Sequence, residues 1–117
     1  MIKGKVVTGS HEAAFFVDVY NRYFRQKLGF DCYPGTLNIQ TEKNCMDELK
    51  NQITIIPEEA LYRVDLYKVK INQKISGAVV VPEKTKHGRQ IIELVAAVNL
   101  RKALKVKDGD EITCELE

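Results

Sequence analysis

Short apolar segments separated by turn residues make up most of this sequence, and they restrict the fold more than any other feature. Their β-branched and aromatic residues alternate with polar ones or form brief apolar runs, as is typical of strands. The few helical segments do not alternate with the strands, which argues against repeated βαβ units. Six or more short strands with one or two short helices favour a mainly β fold, a small closed antiparallel barrel. The predicted strands cover residues 5–9, 15–19, 36–41, 53–56, 62–71, 74–81, 90–96 and 111–116.

Two short helices are predicted from periodicity and capping residues. Tyr20, Phe24 and Leu28 recur every four residues, so we expect an amphipathic helix that ends at Gly29, a residue suited to the left-handed position after a helix. Asn99 should cap a second helix that runs through residue 104.

The central strands carry a hairpin signal and a change of apolar phase. Asn72 and Gln73 should form the turn between the strands at 62–71 and 74–81. Within 62–71 the apolar residues switch from even to odd positions. This shift predicts a β-bulge near Tyr67 or Lys68, a device that bends strands around a small barrel.

Length, charge and cysteine content exclude several classes of protein. A chain of 117 residues without repeats or linkers should form a single domain over residues 1–117, with no attached helix-turn-helix region. We expect a cytoplasmic protein, because no apolar run approaches the ~20 residues of a membrane span and the first residues lack a signal-peptide core. A net charge of +2 indicates neither nucleic-acid nor membrane binding, and we expect a monomer. Three cysteines without C-x-x-C spacing predict free thiols rather than disulfides or a zinc site.

A hydroxyl and an amide follow the corner formed by Pro34 and Gly35. If the segment after the corner is extended, Thr36 and Asn38 point to the same face. Two neutral oxygen groups can hold Mg²⁺ only weakly, since this ion keeps several waters and binds substrate phosphates. The pair therefore suits a metal that arrives with a nucleotide. The alternative is a β-turn that enters a strand, with both side chains bonded to nearby backbone.

Three segments together resemble a known family. They are Y-P-G-T-L-N at 33–38, the apolar strand and basic loop G-A-V-V-V-P-E-K-T-K-H-G at 77–88, and N-L-R at 99–101. This combination resembles the archaeal-type CTP-dependent riboflavin kinases, which are small cradle-loop β-barrels. The resemblance runs from about residue 5 to residue 115. It implies transfer of the γ-phosphate of CTP to the ribityl 5′-hydroxyl of riboflavin, giving FMN and CDP.

The resemblance also implies roles for individual residues. Thr36 and Asn38 would coordinate one Mg²⁺ per active site, and Thr85 and Glu93 would contact the flavin. Glu93, on an otherwise apolar strand, would be the general base for the acceptor hydroxyl. The alternative for Glu93 is a carboxylate that faces solvent on an ordinary half-exposed strand.

Two segments match the nucleotide-binding positions of the family. The first departs from the family pattern: Gly9 and Glu12 fit, but larger residues replace two expected glycines, and their Cβ atoms would crowd a phosphate. In the second, Arg101 adds a forked donor for an anion, although the segment could equally be a structural ending of a small barrel. The segments are Gly9-Ser10-His11-Glu12-Ala13-Ala14 and Val98-Asn99-Leu100-Arg101.

Non-catalytic functions remain open at the level of sequence. The chain lacks Walker and protein-kinase signatures. A flavin or nucleotide sensor without turnover and a small DNA-binding barrel are the alternatives to a kinase. The basic side chains Lys84, Lys86, His87 and Arg89 could attract phosphates or simply keep a loop solvated.

Overall fold

The computed structural model describes residues 1–9, 12–58, 61–83 and 90–117. No helix in this part of the chain combines the length and apolarity that a membrane span requires. The strands are β1 (Ile2–Val7), β2 (Leu37–Gln40), β3 (Ile53–Ile55), β4 (Val64–Ile71), β5 (Ile75–Pro82), β6 (Ile91–Ala96) and β7 (Glu111–Leu116). The helices are α1 (Ala13–Leu28), α2 (Leu100–Leu104) and a single 3₁₀ turn (Met46–Glu48).

Six strands form a closed antiparallel barrel in the order β4-β5-β6-β2-β1-β7, and β7 pairs back onto β4. Cys114 of β7 shows the closure, because it is opposite Ile2 on one side and Ile71 on the other. The remaining strand, β3, is attached to the outer edge of β4. The predicted fold class, a mainly β closed six-stranded barrel, is confirmed.

Apolar side chains are buried on both faces of part of this sheet. One set fills the barrel interior and includes Ile39, Leu94 and Ile112. The other set lies between the outer face of the sheet and α1, where Tyr20 and Phe24 are among the buried residues. Strand residues therefore alternate between the barrel interior and the layer beneath α1.

The predicted strand at residues 15–19 is wrong, because α1 covers this segment. Val17, Tyr20 and Phe24 are buried at the i, i+3, i+7 spacing of one helix face, whereas Phe15 is 74% exposed. Phe15, Val17 and Val19 alternate as in a strand only because Phe15, an exposed apolar residue, lies beside the buried apolar face of α1. The first helix is consequently 16 residues long rather than short.

The predicted helix ends are confirmed. Gly29 follows α1 with a φ of 86°, and its N–H donates to the Arg25 carbonyl oxygen over 2.9 Å. Asn99 caps α2, since its side-chain oxygen accepts a hydrogen bond from the Lys102 N–H at 3.2 Å. Both ends follow from local capping chemistry.

The hairpin is confirmed and the β-bulge is not. Asn72 and Gln73 have positive φ values of 49° and 59°, as the turn of a two-residue hairpin requires. The pairing of β4 with β5 is unbroken from the Val64–Pro82 pair to the Ile71–Ile75 pair, so no residue is inserted near Tyr67 or Lys68. The apolar phase shifts because the first half of β4 buries its outer face under α1, and the second half buries its inner face.

The three cysteines are free thiols, as predicted, and all three are buried. Burial raises the pKa of Cys32 to about 11 and that of Cys114 to about 12. Both thiols are therefore protonated at neutral pH and are poor nucleophiles.

Candidate active site

The outer face of the barrel brings Asn38 and Glu93 together. Asn38 on β2 is directly opposite Glu93 on β6 and, on its other side, opposite Val7 on β1. Opposed residues of antiparallel strands share a face, with Cβ atoms roughly 4.5–5.5 Å apart. Glu93 is also opposite Val80, whose side chain is buried in the layer under α1. The predicted metal ligand and the predicted general base are thus neighbours on the face that packs against α1.

Thr36 completes this cluster. Its hydroxyl donates to Oε1 of Glu93 over 3.5 Å, at the long limit for a hydrogen bond. Thr36 and Asn38 face the same way, as their spacing of two residues predicts. Asn38 is only 4% exposed, whereas Thr36 and Glu93 are partly exposed. A ligand would therefore reach the cluster from the side of Thr36 and Glu93.

Gly9 packs directly on the side chain of Asn38. A Cβ atom added at Gly9 would lie 1.8 Å from Nδ2 and 2.8 Å from Cγ of Asn38. Only a residue without a side chain allows this approach of the backbone to the amide. The first predicted nucleotide segment therefore begins against the predicted metal ligand.

The rest of that segment turns into a helix. Glu12 occupies the N-cap position of α1, and Ala13 and Ala14 form its first residues, so the segment is not a loop throughout. The Glu12 carbonyl oxygen accepts the first helical hydrogen bond, from the Phe16 N–H at 3.0 Å. Because the first backbone N–H groups of a helix lack intrahelical partners, this arrangement can accept an anion.

The donor set of the cluster fits a hard divalent cation. Thr36 offers a hydroxyl and Asn38 an amide oxygen, which are oxygen ligands of the kind that Mg²⁺ binds, and Glu93 brings a carboxylate next to them. The close approach of Gly9 restricts where the Asn38 amide can lie. Among the described residues, no group of three or more His, Cys, Asp or Glu side chains is placed to hold a metal.

A small cavity joins the other predicted segments. Its volume is about 150 Å³, and its lining includes Tyr33, Thr36 and residues 98–101. Tyr33 connects the two sides, because its N–H donates to the Ala96 carbonyl oxygen at 2.8 Å and its hydroxyl accepts from Nδ2 of Asn99 at 3.1 Å. Complete ligand sites usually measure roughly 300–1,000 Å³, so this cavity can hold only part of a nucleotide.

Arg101, which also lines the cavity, is held by two acceptors. Its Nη2 donates to Oδ1 of Asp108 at 2.7 Å and to the Val7 carbonyl oxygen at 3.3 Å. Helix α2 has only five residues, so its dipole adds little and any anion contact here depends on the guanidinium. Nε and Nη1 of Arg101 carry three further N–H donors.

Comparison with known proteins decides the family. A family model named for CTP-dependent riboflavin kinases, with the description "Domain of unknown function DUF120", matches residues 6–116. The chain belongs to the CTP-dependent riboflavin kinase family. This membership confirms the resemblance carried by residues 33–38, 77–88 and 99–101.

Three similar proteins are each named riboflavin kinase. The one from Pyrococcus furiosus is 44% identical over 120 residues, which are 96% of this chain and 56% of that protein. The one from Methanothermobacter thermautotrophicus is 38% identical over 114 residues, 94% of this chain and 93% of that protein. The one from Ignicoccus hospitalis is 41% identical over 123 residues, 95% of this chain and 68% of that protein. The chain thus spans just over half of the Pyrococcus protein and nearly all of the Methanothermobacter protein.

Several residues singled out from the riboflavin kinase resemblance lie outside the described residues. They are Ser10 and His11 of the first nucleotide segment, the predicted flavin contact Thr85, and the basic side chains Lys84, Lys86, His87 and Arg89. A larger groove of about 890 Å³, lined by Lys3, Lys5 and Gln40 among others, contains none of the predicted site residues.

The sequence analysis did not single out Asp108, which contacts Arg101 of the second nucleotide segment. The sequence indicates only a turn at residues 107–110. In the folded chain its carboxylate accepts from both Arg101 and the Thr8 hydroxyl. These two hydrogen bonds, that of Thr8 being the stronger influence, hold the pKa of Asp108 below its ordinary value, so the carboxylate is charged at neutral pH. The contact to Arg101 spans seven residues but the contact to Thr8 spans 100, so no local signal could have revealed that Asp108 joins these two residues.

Proposed function

We propose that this protein transfers the γ-phosphate of CTP to the ribityl 5′-hydroxyl of riboflavin, giving FMN and CDP. The supporting observation is that Asn38 and Glu93 oppose each other across β2 and β6, with Thr36 3.5 Å from the carboxylate. Phosphoryl transfer requires a positioned nucleotide, neutralisation of charge and a group near the acceptor hydroxyl. The cluster of Thr36, Asn38 and Glu93, together with membership of the riboflavin kinase family, supports a proposal for how each of these requirements is met.

In this proposal Thr36 and Asn38 hold one Mg²⁺. The bound ion would neutralise charge on the phosphates of the nucleotide. The buried position of Asn38, fixed between β1 and β6 and beneath Gly9, gives its amide oxygen a defined direction. Thr36 lies next to it at the rim of the small cavity, where a phosphate could share the same ion.

Glu93 is the proposed general base. Its carboxylate is partly exposed and could accept the proton of the ribityl 5′-hydroxyl, which would have to approach within roughly 2.6–3.2 Å. The Thr36 hydroxyl donates to Oε1 and so favours one orientation of the carboxylate. Thr85 is the second proposed flavin contact.

The nucleotide is proposed to bind between residues 9–14 and 98–101. The first segment would offer backbone N–H groups at the start of α1, and Arg101 would offer its guanidinium from the small cavity that it lines. The preference for CTP over other triphosphates is supported by the name of the family alone.

A direct assay tests the function. Purified protein is incubated with riboflavin, Mg²⁺ and CTP, ATP, GTP or UTP in turn, and FMN is separated from riboflavin by chromatography with fluorescence detection. We expect FMN and CDP with CTP and no product after chelation of the metal. FMN formed with ATP but not with CTP would support the kinase activity and would show that CTP is not the phosphate donor. Binding of flavin without FMN from any nucleotide would replace the kinase with a non-catalytic binding module.

Substitution of Gly9 by alanine should weaken catalysis without unfolding the protein. The new Cβ would overlap the Asn38 amide, so the loop or the amide must move by more than 1 Å. Small displacements of catalytic groups are costly, and we expect kcat/KM for the nucleotide to fall roughly tenfold. Steady-state kinetics at varied CTP measures this change.

Gly29→Ala is the matched control. It places a Cβ in open space but at a φ of +86°, so it should cost about 1 kcal/mol of stability and leave kcat/KM unchanged. Wild-type kinetics for Gly9→Ala would contradict a role for the contact between Gly9 and Asn38.

A further inference from the structure

Asp108 lies between the two proposed nucleotide-binding segments. One carboxylate oxygen accepts from Nη2 of Arg101 at 2.7 Å, and the other accepts from the Thr8 hydroxyl at 2.5 Å. Thr8 directly precedes Gly9, where the first segment begins, and Arg101 is the last residue of the second segment. A single side chain therefore contacts Arg101 of the second segment and the residue that immediately precedes the first, although these two residues are about 90 positions apart in sequence.

The backbone holds the turn that carries Asp108 against β1. The Val6 N–H donates to the Asp110 carbonyl oxygen, and the Gly109 N–H donates to the Val6 carbonyl oxygen, both at 2.8 Å. Within the turn, the Asp110 carboxylate accepts from the Lys107 N–H at 2.9 Å. The position of Asp108 is therefore set by contacts that do not involve its own side chain.

We propose that Asp108 is a positioning residue that orients Arg101 and the start of the Gly9 segment for the nucleotide. The inference rests on the proposed function. Arginine has a flexible side chain, and a bidentate or forked contact to phosphate requires a defined orientation of its guanidinium. Asp108 and the Val7 carbonyl oxygen hold Nη2, and Nε and Nη1 carry the remaining N–H donors of the guanidinium. Fixing a contact before the ligand arrives improves affinity because less freedom is lost on binding.

Solvent exposure separates this role from a structural one. The side chains of Arg101 and Asp108 are 40% and 53% exposed, and ion pairs at such positions contribute little to stability. Removal of the carboxylate should therefore change nucleotide binding more than the thermal midpoint of unfolding. If the ion pair contributed only to stability, its removal would leave the KM for CTP unchanged.

The experiment compares the nucleotide KM of the full chain and its variants. Asp108→Ala should raise the KM for CTP roughly fivefold to tenfold, with the KM for riboflavin and the thermal midpoint nearly unchanged. Asp108→Asn should keep the KM for CTP close to the wild-type value, because the asparagine amide can still accept a hydrogen bond from Arg101 and donate one to Thr8. In an Arg101→Ala background, Asp108→Ala should add at most about a twofold change, since only the contact to Thr8 remains.

Asp110→Ala is the control, because it removes one side-chain hydrogen bond within the same turn but leaves the backbone bonds to Val6 and the contacts of Asp108 to Arg101 and Thr8. An unchanged CTP KM in Asp108→Ala, or an equal rise in Asp110→Ala, would overturn the positioning role. If the wild-type protein turns over no nucleotide at all, the proposed function itself fails, which is a different result.

Discussion

Replacement of Asn38 by alanine should lower kcat for FMN formation by at least roughly a hundredfold at a fixed, low Mg²⁺ concentration. The substitution removes one of the two proposed protein ligands, and loss of even an outer partner of a metal site typically costs roughly 10–100-fold. Because the proposed site has so few protein ligands, raising the Mg²⁺ concentration should recover part of the activity. Kinetics over a range of Mg²⁺ concentrations, with unfolding followed in parallel, measures the effect.

Two further variants make the Asn38 result specific. Gln40→Ala lies two residues along β2 on the same face but is exposed, so it should keep wild-type activity. Asn38→Asp keeps an oxygen ligand but adds a charge beside Glu93, and it should retain more metal-dependent activity than Asn38→Ala. Activity of Asn38→Ala within threefold of wild type at low Mg²⁺ would exclude this residue as a ligand.

Substitution of Glu93 by glutamine should lower kcat by roughly 10²–10⁴-fold, the usual contribution of a general base. Glutamine keeps the size of the side chain and can still contact the Thr36 hydroxyl, but it cannot take up a proton at neutral pH. The KM for riboflavin should change only a few-fold. Single-turnover measurements of FMN formation, with both substrates saturating, isolate this step.

The dependence on metal distinguishes Glu93 from Asn38. Excess Mg²⁺ should not recover activity in Glu93→Gln, because the lost function is proton transfer. Glu111→Gln is the matched control, since Glu111 is an exposed glutamate at the start of β7. If Glu93→Gln keeps wild-type kcat, the base lies elsewhere and Glu93 is an ordinary half-exposed strand residue. If kcat of Glu93→Gln is low and excess Mg²⁺ restores it, Glu93 acts as a metal ligand instead.

The turns and helix ends could be predicted from the sequence because they depend on local chemistry. Asn72, Gly29 and Asn99 each occupy the backbone position that their residue type favours. The first half of α1 could not be assigned in the same way. Exposed Phe15 and buried Val17 create an alternating pattern that only the packing of α1 on the sheet resolves.

The roles of the candidate site residues stay predictions, and their arrangement was only partly predictable from the sequence. Thr36 and Asn38 share a face because strand geometry requires it. That Glu93 is opposite Asn38 depends on the pairing of β2 with β6, which are more than 50 residues apart and have no turn that fixes their register. Asp108 is the extreme case, since its contact to Thr8 forms only when the turn docks against β1.

The short strand β2 contributes side chains both to the proposed site and to the hydrophobic core. Leu37 and Ile39 fill the barrel while Asn38, between them, faces outward. If the pairing of β2 shifted by one residue, the Asn38 amide would enter the apolar barrel interior and the side chains of Leu37 and Ile39 would leave it. Misregistered molecules would thus lack the proposed metal ligand and be poorly packed at once. Formation of FMN, if the proposed function holds, would therefore report during refolding when β2 reaches its native register.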